Sequence, residues 1–139
     1  MDVFRLKQVR FWGEILSLFA VGGSAYLLIE ILWRGYSHWS MFVTGGLCVV
    51  LVCEMDRHLR QDTHFLARCV YGAAIITSVE FVVGCIVNLW LRWNVWDYSG
   101  VPLNLMGQIS LPFTMAWLVL SAPVMGMGNA VRRLWGEKG

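Results

Sequence analysis

The chain has 139 residues, 58% of them hydrophobic and 14% charged, with a net charge of +2. Soluble domains run nearer about 45–50% apolar and about 25% charged, so a soluble core of this length cannot absorb the surplus and a bilayer is the expected solvent. The small net charge gives no basis for nucleic-acid binding, and what matters is where the basic residues lie.

Residues Met1–Arg10 carry Arg5, Lys7 and Arg10 and read as a short cytoplasmic amphipathic lead-in. The apolar run that follows lacks a small-x-small cleavage site, so no cleavable signal peptide is expected and the first helix itself directs insertion. That first span covers about 12–33, bracketed by Trp12 and Trp33 as an interfacial belt would be. At ~1.5 Å per residue it crosses a ~30 Å hydrocarbon layer. Within it Tyr26, Glu30 and Arg34 follow Gly22 at spacings of four. Glu30 and Arg34 are an i, i+4 pair with acid before base. They read either as a salt bridge at the outer interface or as the rim of a cavity.

The second apolar run, Ser40–Cys53, is short for a span and reaches full length only when extended to 36–53. Charge decides the matter. If this run crosses, the N-terminal tail, the 54–68 loop and the C-terminal tail share one side and hold Arg5, Lys7, Arg10, Arg57, Arg60, Arg68, Arg132, Arg133 and Lys138, leaving only Arg34 and Arg92 opposite. The positive-inside rule then gives four spans with both termini cytoplasmic. Gly45 and Gly46 allow close helix approach. The Glu54–Arg68 segment reads as a solvated loop with local ion pairs, since its His and acidic residues match no metal-ligand spacing.

The third span, 69–91, is uncharged except for Glu80 at its midpoint. An ionisable group at mid-bilayer costs ~2.5–3.5 kcal/mol on insertion scales. Thr77, Gly84 and Asn88 stand at i−3, i+4 and i+8 from it and fall on one broad face. The plain reading is an interhelical hydrogen bond; the functional reading is a binding or proton-relay carboxylate. After the span comes an aromatic corner with Trp90, Trp93, Trp96 and Tyr98. Asp97 and Ser99 suit an Asx-type turn, and Asn104 suits the N-cap of the next helix. The fourth span covers about 105–127, with Gln108 near its start and Pro112 and Pro123 inside it, where they predict bends. Gly107, Ser110, Thr114, Trp117 and Ser121 share one of its faces.

Cys48, Cys53, Cys69 and Cys85 lie in or at the ends of apolar runs and form no Cys-x-x-Cys pair. They read as small packing residues, and no metal or cofactor is expected. All three histidines (His38, His58 and His64) lie off the third and fourth helices. That argues against a nucleophilic hydrolase and makes enzymatic activity the lesser expectation.

Three clusters carry a family resemblance: Glu80-x3-Gly84-x3-Asn88, then Trp96-Asp97-Tyr98-Ser99, then Asn104-x2-Gly107-Gln108. Residues 78–118 resemble the C-terminal half of the putative ABC-transporter type IV family, a group of small bacterial membrane proteins. Tyr26, Glu30 and Arg34-Gly35 stand where that family has a Glu-bearing helix and an Arg-Gly turn, while the segment after Gly35 departs from it. The resemblance implies a transport component of a bacterial cell inner membrane. The chain has no Gly-x4-Gly-Lys-Ser/Thr loop for nucleotide, so it would be the membrane part of such a system.

The expectation is therefore a single all-α, integral-membrane domain over 1–139, a multi-pass four-helix bundle. A polar intramembrane pocket would form around Glu80 with Thr77, Gly84, Asn88, Asp97, Tyr98, Ser99, Asn104, Gln108 and Tyr26, while Glu30 and Arg34 would gate or neutralise it. Its partners would be membrane lipids and a second copy or another membrane subunit. Two rivals stand beside this reading. One is a membrane enzyme or lipid-binding protein that uses the Trp93–Asn104 corner; the other is a structural scaffold.

Overall fold

The helices begin and end where the sequence supplies caps. In the computed structural model, which describes residues 2–136, Asp2 accepts the Arg5 N–H at 2.8 Å and starts α1, Val3–Arg34. Gly35 ends it in the left-handed region at φ 82°, its N–H donating to the Ile31 carbonyl at 2.8 Å. Next come α2, Trp39–Leu59, and α3, Phe65–Gly84, which runs on as π-helical turns over Cys85–Trp90. A short antiparallel hairpin, β1 (Asn104–Leu105) and β2 (Ile109–Ser110), then leads directly into α4, Leu111–Leu134. Among the described residues four helices are long and apolar enough to span a membrane, counting α3 with its π-helical turns as one. The protein is thus all-helical in its spans and multi-pass.

The chain divides into two compact units. The first comprises Met1–Cys53 with Val124–Gly139, and the second Glu54–Pro123. In the first, α1 and α2 are brought together by missing side chains. A Cβ at Gly22 would lie 2.6 Å from Val49 Cβ, and one at Gly45 would lie 2.5 Å from Tyr26 Cβ. Such contact is how helices associate where lipid removes the hydrophobic drive. Leu18, Val49, Cys53 and Val131 form its core. All four cysteines are free, and Cys48, Cys53 and Cys69 are buried. Arg132, counted with the basic C-terminal tail in the sequence, is buried and donates to the Cys53 carbonyl at 3.4 Å.

Three boundaries differ from the sequence expectation, each for a local reason. The lead-in is not separate from the first span: α1 is continuous from Val3, with no Gly or Pro before Gly13 to break it. The 54–68 segment is mostly helical, because α2 runs to Leu59 and α3 starts at Phe65, capped by the His64 ring nitrogen at 3.2 Å from the Leu66 N–H. Asp56 is fully buried there and paired with Arg68, so this acid is not solvated as a loop residue would be. Finally, α4 begins at Leu111 rather than near 105. Ser110 Oγ accepts the Phe113 N–H at 3.4 Å, taking the capping place expected of Asn104. Pro112 consequently falls in the first turn, where its missing N–H costs nothing, and only Pro123 is interior.

Candidate functional site

Glu80 lies on α3 and is 3% exposed. Both its carboxyl oxygens are held from elsewhere in the second unit. The Tyr98 hydroxyl, on the corner after the π-helical turns, donates to Oε1 at 2.8 Å. The Trp117 indole N–H, on α4, donates to Oε2 at 3.1 Å. One turn earlier the Thr77 and Thr114 hydroxyls meet at 3.0 Å. The Tyr98 ring stacks on Phe113 with centroids 4.4 Å apart, which fixes the phenol over the acid.

The corner reaches Glu80 because Asn88 and Gln108 tie its two ends. Asn88 Oδ1 accepts the Val95 N–H at 2.7 Å, and its amide donates to Gln108 Oε1 at 2.8 Å. Gln108 offers its own carbonyl to the Trp96 indole N–H at 3.0 Å. Gly84 makes this possible, since a Cβ there would lie 2.6 Å from Gln108 Oε1 and 2.9 Å from the Trp96 ring. The π-helical turns supply the alignment. In a plain α-helix a residue at i+8 points about 80° away from i. The wider turns, with the Leu91 N–H bonded to the Ile86 carbonyl at 2.9 Å, take that angle back and return Asn88 to the Glu80 face.

Beyond Asn88 the backbone turns sharply. Arg92, Asn94, Leu103 and Met106 all have positive φ, near 49–57°, without being glycine. Met106 and Gly107 are successive left-handed residues and reverse the hairpin, with the Gln108 N–H donating to the Leu105 carbonyl at 3.0 Å. Asn104 stitches the corner together. Its amide donates to the Val101 carbonyl at 2.9 Å, and its Oδ1 accepts the Gly107 N–H at 3.1 Å. Asp97 accepts the Ser99 N–H at 2.8 Å, closing an Asx turn. That backbone donor, followed by the Ser99 hydroxyl, holds the Asp97 carboxyl below its usual range although it is exposed.

The structure thus gathers Thr77, Glu80, Gly84, Asn88, Tyr98 and Gln108 into one cluster, and gives Asp97, Ser99 and Asn104 to the turns that shape the corner. Tyr26, Glu30 and Arg34 belong to the first unit. There Arg34 pairs with Glu30 at 2.6 Å and lies over the Tyr36 ring at 4.8 Å. Trp117, Phe113 and Thr114 complete the cluster but were not among the expected site residues. Their shared spacing with Ser110 and Ser121 placed Thr114 and Trp117 on one face, and only the fold shows that this face meets Glu80. Of the corner tryptophans, Trp96 is buried while Trp90 is 77% exposed and Trp93 is 43% exposed. Among the described residues no group of three or more His, Cys, Asp or Glu is placed to hold a metal ion.

A family model described as Putative ABC-transporter type IV matches residues 11–135. The match runs through the segment after Gly35, whose sequence departs from the expected pattern. No solved structure matches the chain.

Proposed function

The chain belongs to the Putative ABC-transporter type IV family, and from that premise we propose that it is the membrane subunit of a transport system, with the Glu80 cluster as its responsive site. The observation that carries this reading is the division of labour at one buried carboxyl. Trp117 holds one oxygen from a regular helix, and Tyr98 holds the other from an irregular corner. The Tyr98 hydroxyl is the donor that a solute or a proton replaces, because it reaches the acid from outside the helices, whereas the Trp117 donor is built into α4. Asn88 and Gln108 are the hinge that keeps the corner registered when it is replaced.

In this reading both termini face the cytoplasm of a bacterial inner membrane, as the distribution of basic residues favours. Four spans are few for a transporter, so a second copy or a partner subunit completes the pathway, and nucleotide hydrolysis belongs to another chain. A structural role is the second reading. It is favoured by the closure of the Asn88, Gln108 and Trp96 hydrogen bonds within one unit.

Difference infrared spectroscopy of the Glu80 carboxyl in proteoliposomes, with Glu80→Gln as the blank, separates the two. A C=O band that titrates between about pH 5 and 8 and shifts with added solutes is expected of a responsive site. A band blind to pH and to every solute tried overturns the proposal and leaves the cluster a packing device.

A further inference from the structure

Within the first unit, the geometry points to a site for the headgroup of an anionic phospholipid, built by the first turns of α1 and the last turn of α4. This site is separate from the Glu80 cluster and does not depend on the transport reading. Its first ground is length. The 32 residues of α1 extend for about 48 Å, whereas about 20 residues cross the hydrocarbon. The apolar stretch begins at Trp12, so the turns before it project into the headgroup layer.

Its second ground is charge. From Val3 to Gly13 the chain carries Arg5, Lys7 and Arg10 and no acid, and from Asn129 to Gly136 it carries Arg132 and Arg133 and no acid. Arg132 is buried and spent on the Cys53 carbonyl and the Asn129 side chain. Arg5, Lys7, Arg10 and Arg133 are exposed.

Its third ground is that the two segments are locked together. The Trp135 ring packs against Gly13, where a Cβ would come within 2.5 Å of it. The Trp135 indole N–H donates to Ser17 Oγ at 3.1 Å, and Arg10 Nε donates to the Trp135 carbonyl at 2.9 Å. Lys7 stands one turn before Arg10 on the same side of α1. Arg10, with Lys7 one turn before it, is thus held at the end of α4 that carries Arg133, beside Trp12 and Trp135. Amphipathic indoles settle at headgroup depth. A phosphodiester is the group such a place suits: an anion fixed at that depth, bearing oxygens for several N–H donors.

The test is a titration of the delipidated full chain, in detergent, with phosphatidylglycerol or phosphatidylcholine, read by native mass spectrometry. Phosphatidylglycerol is expected to bind at least tenfold more tightly. Removing cations that make no structural bond, as in Lys7→Gln with Arg133→Gln, is expected to weaken it by about fivefold per charge. The control Arg57→Gln with Arg60→Gln, which lies in the second unit, is expected to bind as the parent does. Should the double variant not fold, Lys7→Glu alone serves, with a larger loss than Lys7→Gln. Equal affinity for the two lipids overturns the inference, as does a variant that binds like the parent or a control that loses as much.

Discussion

Between α1 and α2 the backbones are brought together by what is absent, at Gly22 and Gly45, and the contact is nearly all apolar. From Glu54 to Pro123 the opposite holds, and the contacts are made by side chains with polar tips: Asp56 with Arg68, Thr77 with Thr114, Asn88 with Gln108, Glu80 with Tyr98 and Trp117. Lipid tails are as apolar as leucine, so a membrane protein has two means of joining helices, close van der Waals packing and interhelical hydrogen bonds. This chain uses the first between α1 and α2 and the second from Glu54 to Pro123. Packing of the first kind has no tolerance for volume and is indifferent to pH. Packing of the second kind tolerates small changes in shape but fails when a partner is removed, because the orphaned group has no water to turn to.

The contrast can be broken most severely at the glycines. Gly45→Leu is expected to cost more than about 3 kcal/mol, beyond the usual range for overpacking, since the new side chain meets Tyr26 at its Cβ. Loss of a monodisperse peak in size-exclusion chromatography reads this out, and a parent-like melting temperature would contradict it. Asn88→Ala comes next, at about 2–3 kcal/mol, for it strands the Val95 N–H and Gln108 together. Its sign in hydrogen exchange is faster exchange at Val95 while α1 stays protected. Tyr98→Phe removes a single donor and keeps the ring on Phe113, so about 1 kcal/mol is expected. A double-mutant cycle with Glu80→Ala, which leaves no acceptor, should recover that energy as coupling, and additivity of the two changes would refute the bond.

The smallest effect is at Asp97. Its carboxylate form is stabilised by the Ser99 N–H, so its pKa in the fold lies below the ordinary 3.8. The contribution is therefore present above that ordinary value and is lost as pH falls through the lower, folded one. The Ser99 amide chemical shift is expected to stay constant down to about pH 4 and move only below it, and Asp97→Asn should abolish the transition.

The parts legible in the sequence were those set by short-range rules. Three apolar runs of bilayer length, with a shorter one made a span by the distribution of basic residues, predict four helices, and the fold has them. Glu80 and Gly84, four apart, share a face because a helix puts them there. Asp97 and Ser99 make their turn from adjacent residues. What escaped was set by partners far along the chain or by backbone shapes with no compositional sign. Trp117 is 37 residues from Glu80 and is brought to it only by the packing of α4 on α3. The 104–110 hairpin relies on Leu103 and Met106 in a conformation that neither residue type advertises. Asp56 looks like a loop residue until Arg68 is seen to neutralise it.

The π-helical turns of Cys85–Trp90 carry one residue more than the same arc of α-helix needs. Asn88, eight residues after Glu80, occupies the place that the seventh would hold in an unbroken helix. The segment is therefore a store of spare length. Deleting the exposed Ile86 there should let the turns relax to α-helix and leave the corner facing the way it does now. The same deletion between Glu80 and Gly84 should swing the corner by about 100° relative to Glu80 and strand Tyr98 away from its acid. A one-residue deletion thus has a tolerated address, six residues long, immediately before the corner.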